Sequence, residues 1–226
     1  MAQANFETDT FDTSAGELKI GFIGHGTLML EFNGQVIHVD PVGREADYTK
    51  LPKADLILVT HEHQDHLDPG AIESVRKDGT EIITTETCAP KISGSMVMKN
   101  GDTQTVKGLK IEAVPAYNIV HMRGEGMPFH PKGTGNGYVV TFGDKRVYLA
   151  GDTENIPEMS AIEGVDIAFL PMNLPYTMTP EMVADAAKTL MPKTLYPYHY
   201  GETDTGKLVD LLKDVKEIDL RIRQLQ

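Results

Sequence analysis

The sequence predicts an α/β protein in which two β-sheets pack face to face, with helices on the outside. Short apolar runs separated by Gly-rich turns follow one another closely in the first half of the chain. The same order returns in the second half, and in each half strands precede helices. With 226 residues the chain can bury one sizeable core, so we expect a single domain over 1–226.

The first half begins with a polar segment over 1–16, which we expect to form an arm or an edge strand. Predicted strands then follow at 18–23, 27–32, 36–39, 55–60, 81–85, 95–99 and 109–116. The Asn33-Gly34 pair between two of these runs is a strong hairpin signal. A helix is predicted from Pro69 to the glycine at position 79, with Asp68 as its N-cap.

The second half opens with a loop rich in Gly and Pro, which we predict over 117–136. Strands follow at 136–143, 145–152, 165–171 and 195–201, the first two as a hairpin closed by Gly143-Asp144. Thr179 is expected to cap a helix that begins at Pro180. The amphipathic run 207–216 predicts a last helix.

Composition excludes several classes of function. The net charge of −12 argues against binding of a nucleic-acid polymer, because phosphate contacts need clustered Lys and Arg. No stretch approaches the roughly 20 apolar residues of a membrane span. The single Cys88 cannot form an internal disulfide, and we expect it to be buried. Cytoplasmic location is the default expectation; export is the alternative, since Ala2-Gln3-Ala4 resembles the small residues at a signal-peptide cleavage site.

The stretch THEHQDHLDP at 60–69 contains three of the eight histidines, directly after an apolar run. Imidazole and carboxylate are ligands of divalent ions such as zinc. On an extended segment His61, His63 and Asp65 share one face, whereas His66 points elsewhere. This geometry suits two neighbouring ions better than one.

Further ligands occur at matching places, the ends of later strands. Asp152 in AGDT could bridge two ions, and His199 closes the strand LYPYHY. The remaining ligand is either His130 or His121. We favour His130, because its HPKG turn is flanked by Pro and Gly and could hold it rigidly, while His121 lies in a looser polar stretch.

Other residues are candidates for supporting roles. His25 lies in a Gly turn and could line the cleft, whereas His38 lies in mid-strand and is expected in the core. Tyr117, Asn118 and Lys132 belong to the loop nearest the predicted site and are candidates to contact substrate.

Three carboxylates have expected roles around the ions. Asp65 would be a ligand and the catalytic residue that orients the nucleophile. Asp40 and Asp68 are candidates to hydrogen-bond ligand imidazoles.

The ordered set THEHQDH, a later His, AGDT and a late strand-end His resembles the metallo-β-lactamase superfamily. With GHGT and VDP before it, the chain is most similar to the stand-alone branch that contains ascorbate-6-phosphate lactonase-like proteins. The resemblance implies a four-layer αββα sandwich of two mixed β-sheets flanked by helices, with metals at one edge. It implies two sets of ligands, with Asp152 as the bridge: His61, His63 and His130 for one ion, and Asp65, His66 and His199 for the other.

These features predict a hydrolase with two divalent metal ions, zinc first and Mn or Fe as alternatives. A metal-bridged hydroxide would attack a small ester, lactone or phosphorylated metabolite. The alternatives are a phosphodiesterase of the same fold and a non-catalytic metal-binding sensor. The sequence offers no clear counterpart of the Lys or Arg clamps of antibiotic-hydrolysing members, so antibiotic hydrolysis is not expected. The expected partner is a small-molecule substrate, and the surplus of apolar strands permits a homo-oligomer.

Overall fold

The computed structural model describes residues 6–225, whose strands include two seven-stranded sheets. The first sheet contains β1 (Glu7–Thr13), β2 (Gly16–Gly24), β3 (Thr27–Phe32), β4 (Gln35–Val39), β5 (Leu56–Leu58), β6 (Glu81–Thr84) and β7 (Met96–Val97), in that order. Strands β1 to β4 are antiparallel, and pairing from β4 through β7 is parallel. Strand β1 therefore lies at the edge of this sheet.

The second sheet repeats this plan. The remaining strands are β8 (Thr103–Val106), β9 (Leu109–Ala116), β10 (Met122–Gly124), β11 (Met127–Pro128), β12 (Gly135–Phe142), β13 (Lys145–Leu149), β14 (Ile167–Pro171), β15 (Thr194–Tyr198) and β16 (Asp219–Leu220). The sheet order is β16-β15-β14-β13-β12-β9-β8, while β10 and β11 pair separately. Pairing is antiparallel from β8 to β13 and parallel from β13 to β16.

The two sheets share one apolar core. Phe22 of β2 lies 5.1 Å from the ring of Tyr196 in β15, and Phe32 of β3 lies 5.2 Å from that of Phe142 in β12. Because successive strand residues point to opposite faces, β5 sends Leu56 and Leu58 into this core and Ile57 to the other side. That pattern explains why β5 reads as a continuous apolar run.

Helices cover the outer faces. Helix α1 (Pro69–Val75) packs with Ile57 in a second apolar cluster outside the first sheet. Helices α2 (Pro180–Leu190) and α3 (Thr205–Leu212) contribute Leu190 and Leu208 to the core of the second sheet. The result is the four-layer αββα sandwich that the resemblance implied, with two mixed sheets.

Several element boundaries differ from the prediction. Helix α1 ends at Val75 instead of 79, because Arg76 adopts an extended ψ of 144°. Helix α3 begins at Thr205, capped by Asp204, and ends short of 216. The predicted loop over 117–136 contains the β10–β11 hairpin.

Three residues outside the site match a structural prediction made for them. Asp68 caps α1, and both His38 and Cys88 are buried. The Ala2-Gln3-Ala4 segment lies outside the described residues. Among residues 6–225, no helix is long and apolar enough to cross a membrane.

Candidate metal centre

Histidines and carboxylates meet where strands of both sheets end. The THEHQDH segment follows β5, Asp152 follows β13, His199 follows β15 and His25 follows β2. The carboxyl ends of parallel strands share one edge of a sheet, which explains how residues distant in sequence come together. The side chains form two clusters.

The first cluster contains His61, His63, His130 and Asp152. Nδ1 of His63 lies 3.1 Å from Nε2 of His61 and 3.1 Å from Nε2 of His130. Oδ2 of Asp152 lies 3.1 Å from Nε2 of His130. One donor atom from each residue therefore faces a common point, and all four lie within 4.8 Å of one another.

The second cluster contains His25, Asp65, His66 and His199, again with donor atoms within 4.8 Å of one another. Oδ2 of Asp65 lies 3.3 Å from Nε2 of His25 and 3.4 Å from Nε2 of His199. The rings of His25 and His199 are in contact, with centroids 3.7 Å apart and planes tilted by 40°. The cluster thus has the same composition as the first, three imidazoles and one carboxylate.

Asp152 lies between the two clusters. Its Oδ1 is 3.3 Å from Nε2 of His66, and its Oδ2 is 3.5 Å from Nε2 of His199 and 3.1 Å from Nε2 of His130. The two carboxylate oxygens together approach imidazoles of both clusters, and a bridging ligand would need this placement.

Asp40 orients imidazoles of both clusters. Its Oδ2 accepts a hydrogen bond of 2.8 Å from Nδ1 of His66 and one of 2.6 Å from the hydroxyl of Thr60. Because the Thr60 hydroxyl donates to Asp40, its oxygen accepts from Nδ1 of His61, 3.0 Å away. Both imidazoles therefore carry a proton on Nδ1, and their Nε2 atoms are directed inward.

Asn118 orients His130 in the same way. Its Oδ1 accepts from Nδ1 of His130 at 2.7 Å and from the backbone N–H of His130 at 2.8 Å. Its amide nitrogen donates to Oε1 of Glu154 at 3.1 Å. The buried Glu154 carboxylate also accepts backbone N–H bonds from 119–121, and this fixes the loop that carries Asn118.

Protonation states suit cation binding. Burial opposes ionisation of Asp152, but His199 and His66 outweigh it and hold the pKa of its carboxyl well below the ordinary value. Burial, followed by the neighbouring His66, lowers the pKa of His61 well below 6.5. The carboxylate is therefore charged and the His61 imidazole neutral, the states that metal ligands require.

The pKa of His66 is raised, whereas that of His61 is lowered. Burial alone would lower its pKa, but the carboxylates of Asp152 and Asp40 outweigh burial and raise the pKa to about 9. The clusters thus favour a positive charge at this point, and a divalent cation beside Asp152 would supply it.

The donor set fits divalent metal ions. Three buried atoms that face the cluster interior have no hydrogen-bond partner within residues 6–225: Nε2 of His66, Nε2 of His199 and Oδ1 of Asp152. Buried polar atoms without partners are costly unless a ligand or ion satisfies them. Mixed nitrogen and oxygen ligands suit zinc, manganese and iron.

The backbone around the clusters is conformationally unusual. His25, Asp40 and His199 have φ of 50°, 44° and 48°, in the left-handed region that non-glycine residues rarely adopt. Such strain persists where surrounding contacts impose it, and it is common at functional sites. Gly26 adds a close approach, because a Cβ there would lie 2.6 Å from Cε1 of His66.

A cleft of about 620 Å³ opens above the clusters. Its lining includes ligand candidates from both clusters, among them Asp65, Asp152 and His199. The other lining side chains are polar, aromatic or cationic: Arg44, Gln64, Arg123, Phe129, Asn173 and Tyr176. A volume of this size suits a small molecule.

Comparison with known proteins agrees with this geometry. The model of a family described as the β-lactamase superfamily domain matches residues 19–199. The chain belongs to the metallo-β-lactamase superfamily.

Relatives in this superfamily are named as metal-dependent hydrolases of the UPF0173 group. One from Pelotomaculum thermopropionicum is 32% identical over 195 residues, covering 81% of this chain and 85% of the relative. One from Thermus thermophilus is 34% identical over 196 residues, covering 81% and 84%. These names support a metal-dependent hydrolase; the ascorbate-6-phosphate lactonase subtype stays a prediction.

Solved structures of the superfamily are also similar. A protein from Parabacteroides distasonis assigned as a metal-dependent hydrolase is 55% identical with a TM-score of 0.94, covering 98% of this chain and 100% of its own. Igni18, a metallo hydrolase from Ignicoccus hospitalis, is 26% identical with a TM-score of 0.75, covering 92% and 95%.

All seven residues predicted as metal ligands lie in the two clusters of this metallo-β-lactamase fold. The structure brings His130 to the first cluster, whereas Nδ1 of His121 lies 2.7 Å from Oε1 of Glu154. His25, predicted to contact substrate, lines the cleft but also belongs to the second cluster.

Other predicted contacts lie elsewhere. Lys132 donates to Glu158 at 2.6 Å and Tyr117 donates to Glu158 at 2.9 Å, and neither Lys132 nor Tyr117 lines the cleft. Asn118 is buried and braces His130, so its amide is not directed to a substrate. Asp40 and Asp68 were both predicted to hydrogen-bond a ligand imidazole, and Asp40 does so with His66. Asp68 instead accepts a hydrogen bond from the backbone N–H of Gly43 and caps α1.

Sequence reasoning missed Glu154 and the cleft residues outside the clusters. A glutamate two positions after Asp152 carries no signal of its own, because its partners lie more than 30 residues away. Arg123 belongs to β10, within a segment predicted as a loop. Its position above the clusters depends on the hairpin, which no local pattern indicated.

Proposed function

We propose that the chain is a binuclear metal-dependent hydrolase, with zinc as the preferred ion, that acts on a small ester, lactone or phosphorylated metabolite. The observation that carries this proposal is Asp152, whose carboxylate oxygens lie within 3.5 Å of imidazoles from both clusters. A non-catalytic sensor would need no open cleft beside its ions, whereas here about 620 Å³ adjoins the clusters.

Two sets of residues would hold the ions. His61, His63 and His130 would hold one, and Asp65, His66 and His199 the other, with Asp152 shared. Two divalent ions in one site supply a water of lowered pKa and polarise the oxygen of the bond to be hydrolysed.

The protein's own groups would orient the nucleophile and substrate. Asp65 is the more accessible carboxylate, since 31% of its side chain is exposed against 3% for Asp152. It can therefore accept a hydrogen bond from an attacking water at the cleft floor. His25 lies 3.3 Å from Asp65 and would hold that carboxylate in place.

Elemental analysis tests the binuclear centre. We expect about two ions per chain in the native protein. His130→Ala should lose metal, whereas His121→Ala should retain it, because His121 contacts Glu154 and not the cluster. Less than one ion per chain after soaking with zinc would contradict the proposal.

Hydrolysis is tested separately. The native protein should hydrolyse members of a panel of 4-nitrophenyl esters, lactones and phosphoesters, lose this activity on chelation and regain it with zinc. Full metal content without turnover of any panel member would instead favour the sensor. Turnover of phosphodiesters alone would favour the phosphodiesterase.

A further inference from the structure

Arg123 differs from every other arginine of the chain. The protein has 33 acidic and 21 basic residues, so carboxylates are in excess. Within residues 6–225, five of the six arginines form an ion pair with Asp or Glu, and these are Arg44, Arg76, Arg146, Arg221 and Arg223. Arg123 forms no ion pair with any residue that the structure describes, and it lines the cleft above the metal clusters.

Neutral contacts hold Arg123 in place. Its Nη2 donates to the carbonyl oxygen of Phe129 at 3.1 Å, and its guanidinium carbon lies 5.6 Å from the centroid of the Phe129 ring. That ring in turn meets Tyr176 edge-on, with centroids 5.0 Å apart. This cation–π contact positions the guanidinium without neutralising its charge, so it remains able to bind an anion.

His63 presents a second donor at the same point. Its Nδ1 faces His61 and His130, and its Nε2 lies on the other side of the ring, 3.5 Å from Nη2 of Arg123. If Nδ1 gives its lone pair to a metal, the neutral imidazole carries its proton on Nε2. Two donors then lie side by side, and an oxyanion next to the pair could accept a hydrogen bond from each.

We propose that Arg123 and Nε2–H of His63 bind an anionic group of the substrate, a carboxylate or a phosphate, within a few bonds of the bond that is hydrolysed. The short distance follows because only the width of the His63 ring separates this position from the cluster. Arg44 lines the same cleft, but Glu45 pairs with it at 2.7 Å, so Arg123 is the arginine left to bind an anion there. The inference rests on the proposed function, since it takes His63 as a ligand through Nδ1.

Two esters of equal chain length provide the test. 4-Nitrophenyl pentanoate ends in a methyl group, and the 4-nitrophenyl monoester of glutaric acid ends in a carboxylate at the same place. We expect the native enzyme to prefer the glutarate ester in kcat/KM. Arg123→Gln should reduce this preference on the order of tenfold, because a hydrogen bond to a charged group is lost. Arg123→Lys should restore part of it.

General damage to the cleft would lower kcat/KM for both esters alike, so it would leave the ratio of the two values unchanged. Arg76→Gln is the matched control, since Arg76 follows α1, pairs with Glu73 and does not line the cleft. An unchanged ratio in Arg123→Gln, or an equal change in Arg76→Gln, would overturn the inference. Competitive inhibition by glutarate and by inorganic phosphate then distinguishes a carboxylate from a phosphate as the preferred anion.

Calorimetry separates this inference from the proposed function. Glutarate and inorganic phosphate are titrated into the zinc-loaded native protein, Arg123→Gln and Arg76→Gln. Binding that is at least fivefold weaker in Arg123→Gln alone supports the anion site, even if no ester is hydrolysed. Equal binding by all three proteins overturns it. Absence of hydrolysis with a normal calorimetric difference would contradict only the proposed function.

Discussion

The two clusters have the same ligand types but differ in how the protein supports them. In the first cluster, Thr60 and Asn118 fix the outer nitrogens of His61 and His130. In the second, Asp40 fixes His66, but Nδ1 of His199 has no hydrogen-bond partner within residues 6–225. Supporting hydrogen bonds orient imidazoles before a metal arrives, so equal composition does not imply equal affinity.

Exposure does not divide the clusters, because each has three buried ligand candidates and one half-buried one, His63 in the first and Asp65 in the second. The hydrogen-bond support is what differs. We therefore expect the first ion to bind more tightly and the second to exchange more readily. The second position is also the one next to the water and substrate that the proposed reaction requires.

The largest effect is expected from Asp152→Asn, which removes the charge common to both clusters. An amide cannot place an anionic oxygen towards each group, so both ions should be lost and kcat/KM should fall on the order of 10³-fold. Metal analysis and ester hydrolysis measure this. Asp144→Asn in the β12–β13 turn is the control. Retention of one tightly bound ion would show that the carboxylate is not shared.

Asp40→Asn should weaken both clusters without abolishing them. Asp40 holds His66 directly and His61 through Thr60, and asparagine tolerates the left-handed backbone at this position. We expect affinity for each ion to fall by roughly 10 to 100-fold, measured by competition with a chelating dye. A loss confined to the second ion would mean that the Thr60 link to His61 is dispensable.

The residues of the centre could be predicted largely because several are close in sequence. His61, His63, Asp65 and His66 occupy one short segment after β5, so their proximity could be predicted without knowledge of the fold. Asp152 and His199 were found because they close apolar strands, a signal that is local as well. The repeated plan of the two sheets likewise follows from apolar runs and turns.

The supports and the cleft could not be predicted in this way. Glu154 acts on a loop more than 30 residues before it, and Arg123 depends on a hairpin outside both main sheets. Asn118 and Tyr117 are neighbours with the same prediction, yet one braces His130 and the other donates to Glu158. Such roles depend on tertiary pairing, which a single sequence does not encode locally.

Asn118→Leu separates the clusters, because Asn118 supports only the first. Leucine fills a similar volume but cannot accept from Nδ1 of His130. We expect the affinity of the first cluster for its ion to fall roughly tenfold, and the affinity of the second cluster to change less than twofold. Competition titrations resolve the two steps, and circular dichroism checks the fold. An equal loss at both steps would contradict independent support.

The smallest effect on either cluster is expected from His38→Gln, because His38 is a buried imidazole outside both. Its Nε2–H donates to the carbonyl of Pro52 at 3.0 Å, and burial lowers its pKa from 6.5 to about 4. Metal content at neutral pH should therefore remain that of the native protein.

The effect of His38 should appear instead in the dependence of stability on pH. The unfolded state gains a proton near pH 6.5 and the folded state only near pH 4. The neutral, buried His38 therefore contributes fully to the free energy of unfolding above pH 6.5. This contribution falls by up to about 3 kcal/mol as the pH is lowered to 4. Urea unfolding of chelator-treated native and His38→Gln proteins at several pH values measures the difference. If the free energy of unfolding depends on pH in the same way for both proteins, burial does not lower the pKa of His38. The contrast between this buried histidine and the cluster histidines would then be wrong.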